Sequence, residues 1–316
     1  MEIGLFQNKN VYIALTYKCN AKCQKCMTRN HVNRSYEMSR ELIDIICSKL
    51  CEANYQGMIS IGSGEPILYP HLEYFISNIL SINDMIHLRF LTNGQAFTNE
   101  LPAICFDNRC KWGVTMDGFV QSDLIGLQEG ILIETVKQNI ISIIEKYGSK
   151  CLYLNFTLNN QNYTSLIDYC KFAASLNISE IYVTELKIYE GYHDELNKYR
   201  LCRNETVYKT IHKAKTVLSD KGIPSVSFNL DLPHEKSQCF LRNRASPIID
   251  VNGTVAFCSG REDIYVGNIK DMDIEDRWRA FSVQLISKNI SWCEHCHDHI
   301  LPNGMYSLPK TIENIS

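Results

Sequence analysis

The sequence predicts an α/β fold in which a parallel sheet carries helices on its outside, followed by a small cysteine-bearing module. Three observations lead there. Six short apolar runs recur from residue 11 to residue 189, a helical segment separates each from the next, and polar or glycine-bearing motifs close the runs. In parallel α/β folds the functional loops gather at the C-terminal ends of the strands, so those closing motifs are where chemistry is expected.

The first run opens VYIALTYKCNAKCQKCM, residues 11 to 27, and passes from strand to polar loop. SRELIDIICSKLCEA follows, where Ser39 is placed to cap a helix and Leu42, Ile45, Ile46 and Leu50 recur at helical spacing. MISIGSGEP, 58 to 66, is a buried strand that ends in an open loop, and LEYFISNIL is again helical in period. HLRFLTNG (87 to 94), CKWGVTMDG (110 to 118), CLYLNFTLNN (151 to 160) and EIYVTELKIY (180 to 189) are the remaining strands, each expected to be followed by a helix. ETVYKTIHKAKTVLSDKG runs from 205 to Gly222 and stops there, with Pro224 just beyond. The composition then changes, and PIIDVNGTVAFC reads as a hairpin turning at Asn252 and Gly253. We expect domains at 1–224 and 225–300, with a tail at 301–316.

With 316 residues and 45% apolar content, the chain can bury a substantial core. A formal net charge of −3 gives no case for nucleic acid or an acidic membrane surface as partner. The sequence has no apolar run long enough to span a bilayer, and MEIGLFQNKN lacks the sections of a signal peptide, so a cytoplasmic protein is expected. Fourteen cysteines in a reducing compartment point to metal ligation over disulfides. Two groups are organised: Cys19, Cys23 and Cys26, and later Cys239, Cys258, Cys293 and Cys296. Cys47, Cys51, Cys105, Cys110, Cys151, Cys170 and Cys202 are scattered, and most of them should pack as small apolar side chains.

CxxxCxxC on a loop after a strand is a metal site in kind. Three thiolates at these separations can hold a four-iron cluster with one iron open to a non-protein ligand. The alternative is a zinc knuckle completed by His31.

CNAKCQKC directly after a strand resembles the cluster motif of the radical S-adenosylmethionine (SAM) enzymes. The resemblance implies a partial (β/α)6 barrel and a [4Fe-4S] cluster held by Cys19, Cys23 and Cys26, with its open iron chelated by SAM. It also implies an external electron donor such as flavodoxin or ferredoxin. Many members carry an aromatic residue just before the third cysteine; this chain has Lys25. Ser63, Gly64, Glu65 and Pro66 stand where the family has a GGEP-like loop that receives the SAM aminium through carbonyls and an acidic side chain. Thr92, Asn93 and Gly94, then Thr115 and Asp117, occupy the next strand ends, where relatives contact the SAM carboxylate and ribose.

The late cysteines, with CEHC at 293 to 296, resemble the twitch form of the SPASM domain, which holds one auxiliary [4Fe-4S] cluster; a zinc ribbon is the alternative. His295, His297 and His299 lie beside them and are expected on the surface.

Two enzymatic readings follow from the resemblance, both of which begin with SAM cleavage to a 5′-deoxyadenosyl radical and hydrogen-atom abstraction from substrate. In the first, a small sugar- or cyclitol-like substrate is dehydrogenated, as by the aminocyclitol dehydrogenases. A base is then needed, with Glu185, Glu190 and His193 as candidates and Tyr189 and Arg200 as binding groups. In the second, a cysteine returns a hydrogen atom and the product is an epimer; Cys202, in the polar stretch YRLCRN, is the donor candidate. The chain starts almost at its first strand, which favours a small polar substrate over a ribosomal peptide, while a peptide-modifying epimerase or maturase stays open. A non-catalytic zinc or iron–sulfur protein is the reading from another class.

Overall fold

In the computed structural model the described residues are 4–7, 10–26, 34–186, 194–223, 225–228, 246–256 and 265–286. Their contacts divide the chain into two compact units: Met1–Lys18, Asn30–Arg89 and Pro233–Ser316 in the first, Cys19–Arg29 and Phe90–Leu232 in the second.

In the first unit β1 (Asn10–Ala14) pairs in parallel with β3 (Met58–Gly62), Val11 opposite Ile59 and Ile13 opposite Ile61. These four side chains are fully buried, and the alternation that puts them on one face is the apolar-every-second-residue pattern of the sequence. Helix α1 (Arg40–Glu52) begins at the predicted cap, where the Ser39 side chain accepts from the Leu42 amide at 3.2 Å. Its buried stripe is Leu42, Ile43, Ile46 and Leu50, with Ile45 turned partly outward. Helix α2 (Leu72–Ile82) packs against α1 and buries Phe75, Ile76 and Ile79.

The hairpin predicted around Asn252 and Gly253 is present. Strand β10 (Ile248–Ile249) runs antiparallel to β11 (Thr254–Ala256), and Gly253 takes φ +86°, a left-handed conformation that suits glycine. Strand β12 (Tyr265–Asn268) pairs antiparallel with β11, and α6 (Ile274–Ile286) follows. Strand β10 also pairs in parallel with β1, Tyr12 opposite Ile248, so the order in this unit is β12-β11-β10-β1-β3 and then β4 (His87–Thr92). Residues 246–286, which the composition assigns to an appended module, thus extend the sheet edge of the first unit.

Strand β4 carries the chain into the second unit, where the order is β4, β5 (Cys110–Thr115), β7 (Leu152–Leu158), β8 (Glu180–Glu185) and β9 (Ser225–Phe228). The pairings β5–β7, β7–β8 and β8–β9 are parallel. Helices α3 (Ile133–Tyr147), α4 (Leu166–Ser175) and α5 (Glu205–Asp220) follow β5, β7 and β8, as the strand–loop–helix repeat predicts. Two features differ from that expectation. The link from β4 to β5 holds only a single 3-10 turn, Ala103–Phe106, directly after Pro102, so no helix forms there. Beyond the six predicted strands, SVSF after Pro224 forms β9, a further parallel strand.

The core of this unit is aromatic. Phe90 stacks on Trp112 with ring centroids 4.3 Å apart, and the Trp112 indole donates to the Cys105 carbonyl at 2.7 Å. Cys105, Cys110, Cys151 and Cys170 are buried among such side chains, as expected for scattered cysteines, whereas Cys51 and Cys202 are exposed. Among the described residues no helix is long and apolar enough to cross a membrane.

Candidate active site

The three early cysteines sit in the second unit on a loop pinned at several points. Residues 22–23 form the short strand β2 (Lys22–Cys23), antiparallel to β6 (Gln128–Glu129), and the Gln24 amide donates to the Leu127 carbonyl at 2.8 Å. Asn93, at the end of β4, donates to Asn20 Oδ1 at 2.7 Å and lies 3.7 Å from the Cys19 sulfur, while its own Oδ1 accepts from the Gln95 amide. Gly130, at φ +84°, lets the chain pass beside Asn20, since a Cβ there would come within 2.8 Å of the Asn20 carbonyl.

Cys19, Cys23 and Cys26 form no disulfide and are partly shielded from solvent. Burial pushes the Cys23 thiol up to about 12, with Lys25 drawing it down and Cys26, Asp117 and Cys19 adding to the rise. A metal centre takes cysteine as thiolate, so binding one here would displace that proton and supply the positive charge that the buried thiolate lacks. Among the described residues no three His, Cys, Asp or Glu side chains converge as ligands of one ion. A tetrahedral zinc and a four-iron cluster both bind thiolates, the cluster taking each thiolate on a different iron.

Lys25, the residue that departs from the family motif, is not idle. Its ammonium pairs with the Asp117 carboxylate and donates to Thr157 Oγ1 at 2.7 Å, and its side chain is 17% exposed against 4% for Asp117. The other oxygen of Asp117 accepts from the Thr157 amide at 2.7 Å. Both carboxylate oxygens of Asp117, a residue expected to face SAM, are therefore engaged by the protein. Thr157 escaped the sequence reading, although Tyr153, Asn155 and Thr157 alternate with the buried Leu152, Leu154, Phe156 and Leu158 and so share one face of β7. On that face Thr115 stands opposite Asn155, whose buried Nδ2 has no hydrogen-bond partner among the described residues. Thr92 is buried and its hydroxyl accepts from the Gly94 amide at 3.1 Å, closing a turn at the strand end.

The SGEP loop belongs to the first unit. Ser63 and Gly64 take φ +66° and +57°, two successive left-handed residues. A Cβ on Gly64 would lie 2.5 Å from the Thr16 carbonyl oxygen and 2.6 Å from that of Lys18, so only glycine fits. The Glu65 amide donates to the Lys18 carbonyl at 2.7 Å. Glu65 itself is fully buried, and its carboxylate accepts from the Ile67 amide at 3.4 Å, capping the 3-10 turn Pro66–Leu68. In this structure the acid shapes the loop, while Ser63 and Gly64 are half-buried.

At the end of β8, Glu185 forms an ion pair with Arg203. Cys202, adjacent to Arg203, is exposed and receives a contact from the Asn204 side-chain amide at 3.6 Å; Asn204 also caps α5. One ion pair thus brings the two candidate catalytic residues, Glu185 and Cys202, to one corner of the second unit. Arg200 is exposed and bonds its own turn through Asn197 at 3.1 Å. Tyr189, Glu190, His193, His31, Cys239, Cys258, Cys293, Cys296, His295, His297 and His299 lie outside the described residues.

Comparison with known proteins finds two matching segments of the chain. The radical SAM superfamily profile matches residues 13–117, and an iron–sulfur cluster-binding domain of the SPASM type matches residues 239–298. GTP 3′,8-cyclase of Clostridium perfringens (strain 13 / Type A) is 24% identical over 217 residues, which is 66% of this chain and 63% of the cyclase. The chain thus spans under two thirds of that relative's length. Streptococcus suis SuiB, solved with S-adenosylmethionine, superposes with a TM-score of 0.68 at 16% identity, covering 90% of this chain and 69% of SuiB. Native anSMEcpe, solved with AdoMet and the Cp18Cys peptide, superposes with a TM-score of 0.66 at 17% identity, covering 92% of this chain and 84% of that one. At these identities the solved structures share the α/β fold with this chain.

Proposed function

We propose, from the match of residues 13–117 to the radical SAM superfamily and of residues 239–298 to a SPASM-type iron–sulfur domain, that the chain is a radical SAM enzyme that abstracts a hydrogen atom from a small polar substrate, leading to dehydrogenation or epimerisation. The single observation that carries the reading is the pinned loop of three shielded cysteines, none of them in a disulfide, that follows β1 inside the family match. A SAM-bound [4Fe-4S] cluster goes with the first domain and auxiliary iron–sulfur binding with the second. When reduced, the first cluster supplies the electron that cleaves SAM and yields the 5′-deoxyadenosyl radical.

On this reading Cys19, Cys23 and Cys26 hold the first cluster, and Cys239, Cys258, Cys293 and Cys296 hold the auxiliary one. Ser63 and Gly64 offer backbone carbonyls to the SAM amino group, a donor that needs acceptors free of bulky side chains, with Glu65 holding the loop in shape. The face of β5 and β7 that carries Thr115, Asn155 and Thr157 offers hydroxyl and amide groups, which suit a polar substrate. The Asn155 Nδ2, without a partner among the described residues, is a donor for an acceptor of that kind. On the same reading Glu185 is the base that takes a proton from the substrate carbon, its carboxylate held by the ion pair with Arg203. Cys202, exposed beside that pair, is the donor if the outcome is an epimer.

Modification of a peptide is the second reading, favoured by the fold shared with anSMEcpe, which is solved with a peptide bound. Anaerobic incubation with SAM and a reductant across aminocyclitols, nucleotide sugars and peptides separates the outcomes. Loss of two hydrogens from the substrate indicates dehydrogenation, and solvent deuterium at the product carbon indicates epimerisation. Absence of 5′-deoxyadenosine with every substrate, in protein loaded with iron, overturns the enzymatic reading.

A further inference from the structure

Lys25 stands between two of the early cysteines, where relatives often place an aromatic ring, and its long side chain reaches two strand ends at once. The reach closes a small circuit: ammonium to the Asp117 carboxylate at the end of β5, ammonium to the Thr157 hydroxyl at 2.7 Å on β7, and Thr157 amide back to Asp117 at 2.7 Å. Asp117 is almost wholly buried, so its charge meets the Lys25 ammonium with little solvent between. Thr157 supplies the remaining bonds, and no link of the circuit needs a ligand. The opposite side of the same loop is pinned by Asn93 to Asn20 and by β2 to β6. The Lys25 circuit supplies the hold on the strand-end side.

We propose that Lys25 is a positioning residue that clamps the three-cysteine loop to the ends of β5 and β7 and, through its charge, sets the reduction potential of the cluster held there; this rests on the radical SAM reading above. A cluster gains negative charge on reduction, so a nearby cation favours the reduced form and a nearby uncompensated anion opposes it. Lys25 lies within the loop itself, whereas Asp117 follows the end of β5. Removing the lysine charge strips a cation and exposes the Asp117 anion in one stroke. Removing the Asp117 charge does the reverse, leaving Lys25 uncompensated.

The test is an anaerobic redox titration, followed by electron paramagnetic resonance, of the cluster signal that responds to added SAM, in the iron-loaded wild type, Lys25→Met, Lys25→Arg, Asp117→Asn and the Lys25→Met/Asp117→Asn double variant. The midpoint is expected to fall in Lys25→Met, to rise in Asp117→Asn, and to return towards wild type in the double variant and in Lys25→Arg. Amide exchange across residues 19–26 is expected to quicken at least tenfold in Lys25→Met and to stay near wild type in Lys25→Arg. An iron-loaded Lys25→Met with an unchanged midpoint overturns the proposal. If Lys25→Met cannot be loaded, Asp117→Asn decides: a raised midpoint upholds the proposal, and an unchanged or lowered one overturns it. A wild type that holds no iron overturns the radical SAM reading itself, which is a separate failure.

Discussion

Replacing Gly64 by alanine tests the claim that the SGEP loop is fixed by its own backbone. The new Cβ would stand 2.5 Å from the Thr16 carbonyl oxygen and 2.6 Å from that of Lys18, both main-chain atoms that cannot swing aside as a side chain would. The residue also sits at φ +57°, where an L side chain costs about 1–2 kcal/mol. Overpacking adds about 1–3 kcal/mol. Together these predict a loss of about 2–5 kcal/mol of stability, or a loop displaced to escape it. Urea unfolding of the iron-free protein reads the first outcome. SAM affinity of the iron-loaded protein reads the second, with at least a tenfold loss, ~1.4 kcal/mol, expected. A variant with wild-type stability and wild-type SAM affinity would refute the reasoning. The neighbouring Ser63→Gly should act in the opposite sense. Relief of φ +66° outweighs the added chain entropy by about 0.5–1 kcal/mol, without loss of SAM affinity.

Other consequences follow from the buried thiols and the β8 corner. Burial pushes Cys110 and Cys170 up to about 12 and Cys151 up to about 11, from an ordinary value of 9.0. The folded state therefore holds protons that the unfolded chain releases. Their contribution is fully present below pH 9 and is lost as pH rises towards 12. Urea midpoints measured from pH 8 to pH 11 should fall, and a Cys110→Ala/Cys170→Ala variant should fall less steeply. Glu185→Gln should lower product formation by about 100-fold while leaving SAM binding intact; unchanged turnover would remove Glu185 as the base. Cys202→Ala should abolish formation of an epimer while SAM cleavage continues, and continued epimer formation would exclude Cys202 as the donor.

The legibility of this chain divides along a physical line. The strands from Asn10 to Glu185 were readable because their buried faces are built from runs such as VYIA and MISIG, whose period survives any tertiary context. The start of α1 was readable because Ser39 makes a local bond to Leu42. Strand β9 was not, because SVSF is too short to show a period and follows a proline that looks like a terminator. The missing helix between β4 and β5 was hidden for the related reason that spacing alone does not reveal what fills it. At the candidate site, the order of the motifs identified the loops, yet the state of their side chains depends on partners distant in sequence. Glu65 looks like an acid open to a ligand and is instead fully buried as a cap. Asp117 looks like an open acceptor and is instead paired with a lysine 92 positions away. Lys25 reads as a mere departure from a motif until that pair is seen.

The central claim is that Cys19, Cys23 and Cys26 hold a four-iron cluster to which SAM binds. Its most direct test is anaerobic reconstitution followed by metal analysis and electron paramagnetic resonance of the reduced protein with and without SAM, beside a Cys19→Ala/Cys23→Ala/Cys26→Ala variant. The account predicts about eight irons per chain, from two four-iron clusters, a signal that changes when SAM is added, and loss of that response with about half the iron in the variant. Stoichiometric zinc in the wild type, or an iron signal indifferent to SAM, would contradict it.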